Sequence, residues 1–477
     1  MQRLTAADAS FLYVESAGGP THISSVFALE GELSYESVLA HFEHRIHLVP
    51  AYRRKLSQVP LSIAHPTWVD DADFDLTNHV HRARSEGPTH QEAVDTAIRL
   101  TEPLLDRGIP LWHLWVIDGV PGRTYIAQAT HHAMIDGASG VELMTILFDL
   151  DPEGREVPPP EKAWTPEPTP GPAEQFSRAL ADNAAELAAM DWSKLVPSEG
   201  EQRRLTERAG RIMSDFFTHP VITAPFNAGM VGPKRRLRSA VVPYAEMREV
   251  RRALGGTIND VALTAVSEGV SRYLESKGER TKNQHMRIMC PVNVRTENEQ
   301  GALGNRVSGV FPVLPAWPMA PAERLTVVRA EMERIKDDQD AQALALAQNN
   351  APPIWPVAML PNQLVGTPFD PTRLAAAMPV PPTASPAMRP PNIGVNFVCT
   401  NVPGVQVPMY MCGHEVVEQY PVLCLLGNLG FGVAILSYNQ HLYFGFISET
   451  RLLPDVELIA EATRSAFDEL LEIARVT

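Results

Sequence analysis

The sequence predicts an α/β protein built from two domains. Three observations carry this. At 477 residues the chain is too long for one compact core. Strand and helix periodicities alternate on both sides of a proline-rich stretch, as in α/β architectures. Third, a strongly β-like run, Thr124 to Thr130, leads straight into His131-His132-Ala133-Met134-Ile135-Asp136-Gly137 and then into an amphipathic helical pattern. A strand-to-helix junction of this kind is where α/β folds usually place their chemistry.

Taken in order, Ile23 to Leu29 reads as a strand. Ser34 suits the N-cap of a helix carrying Val38, Leu39, Phe42, Ile46 and Val49 on one face. Gln91 to Glu102 reads as a second helix. Leu111 to Ile117 and Thr124 to Thr130 read as neighbouring strands joined by the turn Asp118-Gly119-Val120-Pro121-Gly122. Past the histidines, Val141, Met144, Leu147 and Phe148 stand at helical spacing, so a helix is predicted from about Ala138 to Phe148.

Pro158-Pro159-Pro160 and the alternating prolines of Thr165 to Pro172 favour extended polyproline conformation and mark a linker. Helical patterns at about Ala173 to Met190 and Gln202 to Phe217 follow. The expected division is a first domain over 1–172, a helical connection over 173–235 and a second domain over 236–477. In that second domain Leu237 to Val242 reads as a strand and Tyr244 to Leu254 as a helix. Thr257 caps a further helix with Val261, Ala265, Val270 and Leu274 among its apolar positions. Strand patterns recur at Met286 to Cys290, Val307 to Leu314, Ile393 to Thr400, Gly430 to Tyr438 and Leu442 to Ile447. The last helix is predicted from Val456 to Ala474, capped by Asp455. No sequence repeat relates the halves. Ala341 to Met388 is rich in Ala, Leu, Met and Pro and poor in charge. It reads either as an apolar insertion packed on its own domain or as an adaptable lip able to touch lipid.

Composition narrows the function. Hydrophobic content of 44% and charged content of 20% are globular values. A net charge of −15 argues against nucleic-acid binding and against attraction to anionic lipid through overall charge. The four cysteines, Cys290, Cys399, Cys412 and Cys424, lack metal-binding spacing and read as reduced, mostly buried thiols. The start Met1-Gln2-Arg3 opens no apolar leader, and no apolar run reaches membrane-span length, so a cytoplasmic, soluble or peripheral protein is expected. There is no Gly-x-Ser-x-Gly elbow and no Walker or Rossmann glycine loop.

The histidine segment suits general-base catalysis, since an imidazole takes up a proton near neutral pH. Adjacent residues leaving a strand point in opposite directions, so only one of His131 and His132 faces a given cavity. The same divergence argues against a metal held by His131, His132 and Asp136. Asp136 either orients the imidazole or, as favoured here, anchors the tight turn, for which Gly137 gives the backbone freedom. Asn259 and Asp260 sit where capping alone explains them. Pro110-Leu111-Trp112 reads as the start of a core strand. Lys234, Arg235 and Arg236 open the one dense basic cluster, a possible seat for phosphates.

The segment has the form HHxxxDG and resembles the motif of coenzyme-A-dependent acyltransferases and of peptide-synthetase condensation domains. Leu4 to Leu12, Pro20-Thr21-His22-Ile23, Pro110-Leu111-Trp112, Thr257-Ile258-Asn259-Asp260-Val261, Pro291-Val292-Asn293-Val294-Arg295, Gly304-Asn305-Arg306 and Thr400-Asn401-Val402-Pro403-Gly404 resemble, in order, the blocks of the bacterial wax ester synthase/diacylglycerol acyltransferase family. The Asp-Phe-Gly-Trp-Gly signature of the plant and chloramphenicol-type branches is missing. The resemblance implies two similar chloramphenicol-acetyltransferase-like α/β domains with the active-site tunnel at their interface. It implies a long-chain acyl-CoA:alcohol O-acyltransferase making wax esters or triacylglycerol, with His132 as base and His131 packed behind it. It further implies Asn259 facing the reaction centre, Pro110, Leu111 and Trp112 on the acceptor tunnel, and Asp260, Asn293 and Arg295 near substrate. Acyl-CoA is then a substrate and no cofactor is required. The expected partners are long-chain acyl-CoA, a fatty alcohol or diacylglycerol, and a membrane or lipid droplet touched peripherally, by a monomer or homodimer. The alternatives are an enzyme of the same fold acting on carrier-bound or polyketide substrates, and a non-catalytic lipid-binding relative.

Overall fold

The computed structural model describes residues 2–134, 140, 144, 147–190, 200–293, 307–350, 392 and 394–477. In chain order the first half contains β1 (Gln2–Arg3), α1 (Ala6–Val14), β2 (His22–Glu30), α2 (Tyr35–Arg45), β3 (Arg54–Ser57), β4 (Thr67–Asp70), β5 (Val80–Arg84), α3 (His90–Leu100), β6 (Trp112–Val120) and β7 (Arg123–His131). Two long helices follow, α4 (Pro172–Ala189) and α5 (Gly200–Thr218). The second half opens with β8 (Arg235–Pro243), α6 (Tyr244–Leu254), α7 (Ile258–Ser276), β9 (His285–Asn293), β10 (Val307–Val310), β11 (Val313–Pro315), α8 (Pro321–Asp337) and α9 (Asp340–Asn350). It closes with β12 (Phe397–Pro403), β13 (Tyr410–Met411), β14 (His414–Val422), β15 (Phe431–Tyr438), β16 (His441–Glu449) and α10 (Glu457–Val476).

Two large mixed sheets organise the molecule. The first has the order β13-β14-β2-β7-β6-β5, and the second β10-β9-β12-β15-β16-β8 with β11 also on β9. Each is backed by its own apolar core. Val26, Phe27, Phe42, Trp112 and Ile126 lie in the first. Val261, Val270, Ile288, Phe444 and Phe467 lie in the second. The division expected at 172 and 236 is crossed by β14, which comes from the second half but pairs antiparallel with β2 of the first sheet.

The two connecting helices dock on different halves. On α4, Asn183 accepts from Arg3 at 3.0 Å and Gln175 donates to Ser57 Oγ at 3.0 Å, both first-half partners. On α5, Arg208 pairs with Asp340 at 2.6 Å. The buried Arg287 guanidinium also donates to the Asp215 and His219 carbonyls at the C-terminal end of α5.

Some elements depart from expectation for local reasons. The helix capped by Ser34 stops at Arg45. Val49 precedes Pro50, and a residue before proline is steered out of helical conformation. The strand expected over Val307 to Leu314 is two short strands on the same partner, broken at Phe311-Pro312. The last helix starts at Glu457 with no side-chain cap. Asp455, expected to cap it, instead accepts from Tyr273 Oη at 2.9 Å and from Lys277. Of the apolar stretch Ala341 to Met388, only residues up to 350 are described, as the body of α9.

Candidate active site

Strand β7, between β2 and β6 in the first sheet, ends at His131 and leads directly into His132. Along β2 its register places His22 opposite His131, and along β6 it places Thr130 opposite Trp112. The His131 N–H donates to Leu111 O at 2.9 Å and the His132 N–H to Thr21 O at 3.0 Å, so both neighbours grip the chain up to the last strand residue. It then turns at once, with Met134 N–H closing on His131 O at 2.9 Å. Strand alternation does the rest: His131 is fully buried, whereas His132 is partly exposed.

His131 is fixed at both ring nitrogens. Nδ1 accepts the Ala133 N–H at 3.0 Å. A nitrogen that accepts carries no proton, so the neutral ring carries its proton on Nε2. That nitrogen faces Thr21 Oγ1 at 3.0 Å and Glu15 Oε1 at 3.4 Å. Glu15 also accepts from the Thr21 N–H at 3.1 Å and from Arg107 at 2.9 Å. Burial alone would raise the Glu15 carboxyl. The hydrogen bonds it receives from His131, Arg107 and the Thr21 N–H outweigh it and hold the group well below the usual carboxylate range.

The His132 ring stacks on Phe11, with centroids 3.9 Å apart and planes 3° from parallel. Phe11 is held in turn, because the Thr21 hydroxyl donates to its carbonyl at 3.1 Å. Opposite His131 on β2, His22 donates from Nε2 to Thr101 O, and burial pushes its imidazole down to about 4. His22, Ser24, Thr101, Glu102, Arg235 and Cys424 line a cleft of about 20 Å³, the space of a single water. Asp136 and Gly137 lie outside the described residues, as does most of the helix expected from Ala138, although Gly140, Met144 and Leu147 are helical.

In the second half, Thr257 and Asp260 form a capping box at the start of α7: the Asp260 N–H donates to Thr257 Oγ1, and the Asp260 carboxylate accepts the Thr257 N–H. The Asp260 carboxylate thus turns back onto its own helix as a cap. Asn259, in the same first turn, accepts from Asn401 of β12 at 3.4 Å, so two of the sequence blocks meet there. Asn293 ends β9 opposite Val307. Arg295 lies outside the described residues.

Pro110, Leu111 and Trp112 pack inside the first half. Trp112 is wholly buried, stacked between Tyr52 at 4.5 Å and His79 at 4.6 Å, with its indole N–H on Tyr52 O at 2.9 Å. Leu111 serves the site through its carbonyl, which holds His131. The members of the basic cluster have partners within the protein. Lys234 pairs with Glu102 at 2.8 Å and Arg235 donates to Gly18 O at 2.7 Å and to Gly232 O. Arg236 donates to Pro454 O at 2.7 Å and faces Glu457 at 3.5 Å. Lys234 and Arg235 reach across to first-half partners, whereas Arg236 bonds within the second half.

Sequence reasoning missed Glu15, Arg107 and the roles of Phe11 and Thr21. The last two lie inside quoted blocks, so a signal existed. Glu15 follows a helix as a single carboxylate with no pattern around it. Among the described residues no group of three or more His, Cys, Asp or Glu is arranged to hold a metal ion, and no helix is long and apolar enough to cross a membrane.

Comparison with known proteins identifies the family of the chain. The family model described as the wax ester synthase/diacylglycerol acyltransferase catalytic domain matches residues 4–262, and that of the WS/DGAT C-terminal domain matches residues 303–471. A Mycobacterium tuberculosis protein named as a probable diacylglycerol O-acyltransferase is 29% identical over 492 residues, covering 100% of this chain and 97% of that one. The wax ester synthase/diacylglycerol acyltransferase from Marinobacter aquaeolei VT8 shares the fold at a TM-score of 0.66 and 19% identity, over 99% of this chain and 100% of that one. The first condensation domain of the calcium-dependent antibiotic synthetase does so at 0.60 and 13%, over 99% and 96%. The chain belongs to the wax ester synthase/diacylglycerol acyltransferase family and is an acyltransferase of its two-domain α/β type.

Proposed function

We propose that the protein is a long-chain acyl-CoA:alcohol O-acyltransferase, with a fatty alcohol or diacylglycerol as acceptor and His132 as general base. The observation that carries this is the contrast between the two histidines: His131 is buried with both nitrogens engaged, while His132 is partly exposed and stacked on Phe11. His132 takes the proton of the acceptor hydroxyl as its oxygen bonds to the thioester carbonyl carbon. A tetrahedral oxyanion results, for which Asn259 is the proposed donor. On collapse the C–S bond breaks and the departing sulfur takes the proton back from His132. The products are ester and coenzyme A. No acyl-enzyme forms, and acyl-CoA is the only coenzyme species needed.

The same reading makes the protein cytoplasmic and peripheral, meeting the inner membrane or lipid droplets through apolar surface in the Ala341 to Met388 stretch. Flotation with liposomes should then survive high salt, because apolar contact is not screened as charge is. Release by salt alone would count against it.

The deciding experiment gives purified protein palmitoyl-CoA with either hexadecanol or dioleoylglycerol and separates the products by thin-layer chromatography. Ester formed with stoichiometric thiol release supports the reading, and the better acceptor separates wax from triacylglycerol synthesis. No ester and no thiol with either acceptor overturns it.

A further inference from the structure

Behind the histidines lies a group that the reaction itself does not use. Glu15 follows α1 on the chain, yet its side chain is only 3% exposed and reaches the His131 ring. Its Oε1 receives the Thr21 N–H and stands 3.4 Å from His131 Nε2, while Oε2 receives Arg107. The protonation form of His131 matters here. Were the proton on Nδ1, it would point at the Ala133 N–H, and the turn that follows the strand would lose its bond. An acceptor at Nε2 keeps the proton there and leaves Nδ1 bare for Ala133. A second route runs through Thr21, whose hydroxyl lies between His131 and the Phe11 carbonyl, and Phe11 carries the ring against which His132 is stacked.

We propose that Glu15 is a positioning residue for acyl transfer: its buried carboxylate holds His131 as the Nε2–H tautomer, and that tautomer, through the Ala133 and Phe11 contacts, sets the direction in which His132 projects. The inference rests on His132 being the base. It assigns Glu15 no contact with substrate and no share in proton transfer.

The test uses the full-length protein, palmitoyl-CoA with whichever acceptor gives the higher rate, and two-bond ¹H–¹⁵N spectra of histidine-labelled protein. The wild type should show His131 with its proton on Nε2. Glu15→Ala should lower kcat on the order of 100-fold, the scale of a reacting group displaced by about 1 Å, with KM for both substrates little changed and Tm lowered by the lost carboxylate. Glu15→Gln keeps a carbonyl oxygen toward Nε2–H and should recover most of kcat. Should Glu15→Ala not fold, Thr21→Val, which deletes only the hydroxyl beside Nε2, decides by a fall of about tenfold in kcat. Unchanged kcat in the variant that decides, equal losses in the Ala and Gln variants, or a wild-type His131 protonated on Nδ1 would each overturn the proposal. His132→Ala is the separate control. If it retains turnover, the base assignment fails, while the spectra still report what Glu15 does to His131.

Discussion

Glu15 and Glu268 are both buried carboxylates facing arginine, and they show two uses of the same chemistry. Glu268, on α7, meets the fully buried Arg324 at 2.5 Å and Arg272 at 2.9 Å. Arg324 also donates to Ser271 at 3.1 Å and to the Pro315 carbonyl at 3.0 Å, while Arg272 reaches Glu469 on α10 at 2.6 Å. The network ties α7, α8 and α10 together and holds the end of β11 through Pro315. Glu15 shares its carboxylate with an imidazole and a hydroxyl, beside the turn that follows the two histidines. The first arrangement stiffens a scaffold. The second couples a fixed charge to a group whose proton position has consequences.

The largest effect that tests this contrast is on turnover. His132→Ala should lower kcat by about 10²–10⁴-fold, the usual worth of a general base, with Tm close to wild type. His131→Ala should lower activity less but Tm more, because it empties a buried, doubly bonded site. Steady-state kinetics beside melting scans separate the two, and matching profiles would erase the distinction between the histidines.

Next in size is stability without chemistry. Arg324→Ala takes the closest partner from the buried Glu268 carboxylate and leaves it Arg272, and removing one partner of a buried pair costs up to about 3–5 kcal/mol. Denaturant unfolding should show the loss, while kcat/KM per folded molecule stays unchanged. A parallel fall in kcat/KM would show that the second network also reaches the active site.

A third test is acid. Burial, the largest cause in each case, lowers His22, His65 and His113 to about 4, and all three lie in the first half. Unfolded, each titrates near 6.5. Between those values the unfolded chain binds the protons, so each histidine's contribution is whole above about 6.5 and is lost as pH falls toward about 4. Glu15 acts lower: its contribution is present above the ordinary carboxylate value of 4.5 and is lost as pH falls toward about 2. Tm should therefore drop in two stages on acidification, and His113→Gln should flatten the upper stage. The smallest effect is local: Thr257→Ala opens the capping box of α7 and should cost about 1 kcal/mol by denaturant melts.

Legibility in the sequence followed how local the signal was. Tyr244 to Leu254 matched its helix end to end, and Thr257 capped α7 as read, because periodicity and capping are written within a few residues. The strands on either side of Asp118 to Gly122 were equally plain. β14 was not read at all: Pro421 and the charges of His414 to Tyr420 hide a strand whose partner lies at the other end of the chain. At the basic run of Lys234 the sequence shows the charge but not the Glu102 carboxylate that pairs with it or the Gly18 carbonyl to which Arg235 donates. His131 and His132 were legible as a pair and in their opposite facing. Glu15, which meets them only through the fold, was not.

The crossing of β14 into the first sheet also bears on how the protein is made. Val422 pairs with Ser24, and along its other edge β2 sets His22, the residue after Thr21, opposite His131. Until the ribosome has released β14, β2 is an open sheet edge of apolar, alternating sequence, the kind that recruits other chains. Synthesis of nearly the whole polypeptide thus precedes completion of the sheet that presents the histidines. Fragments ending before β14 should aggregate rather than fold, and the active site should arise late and all at once, with no partly active precursor on the way.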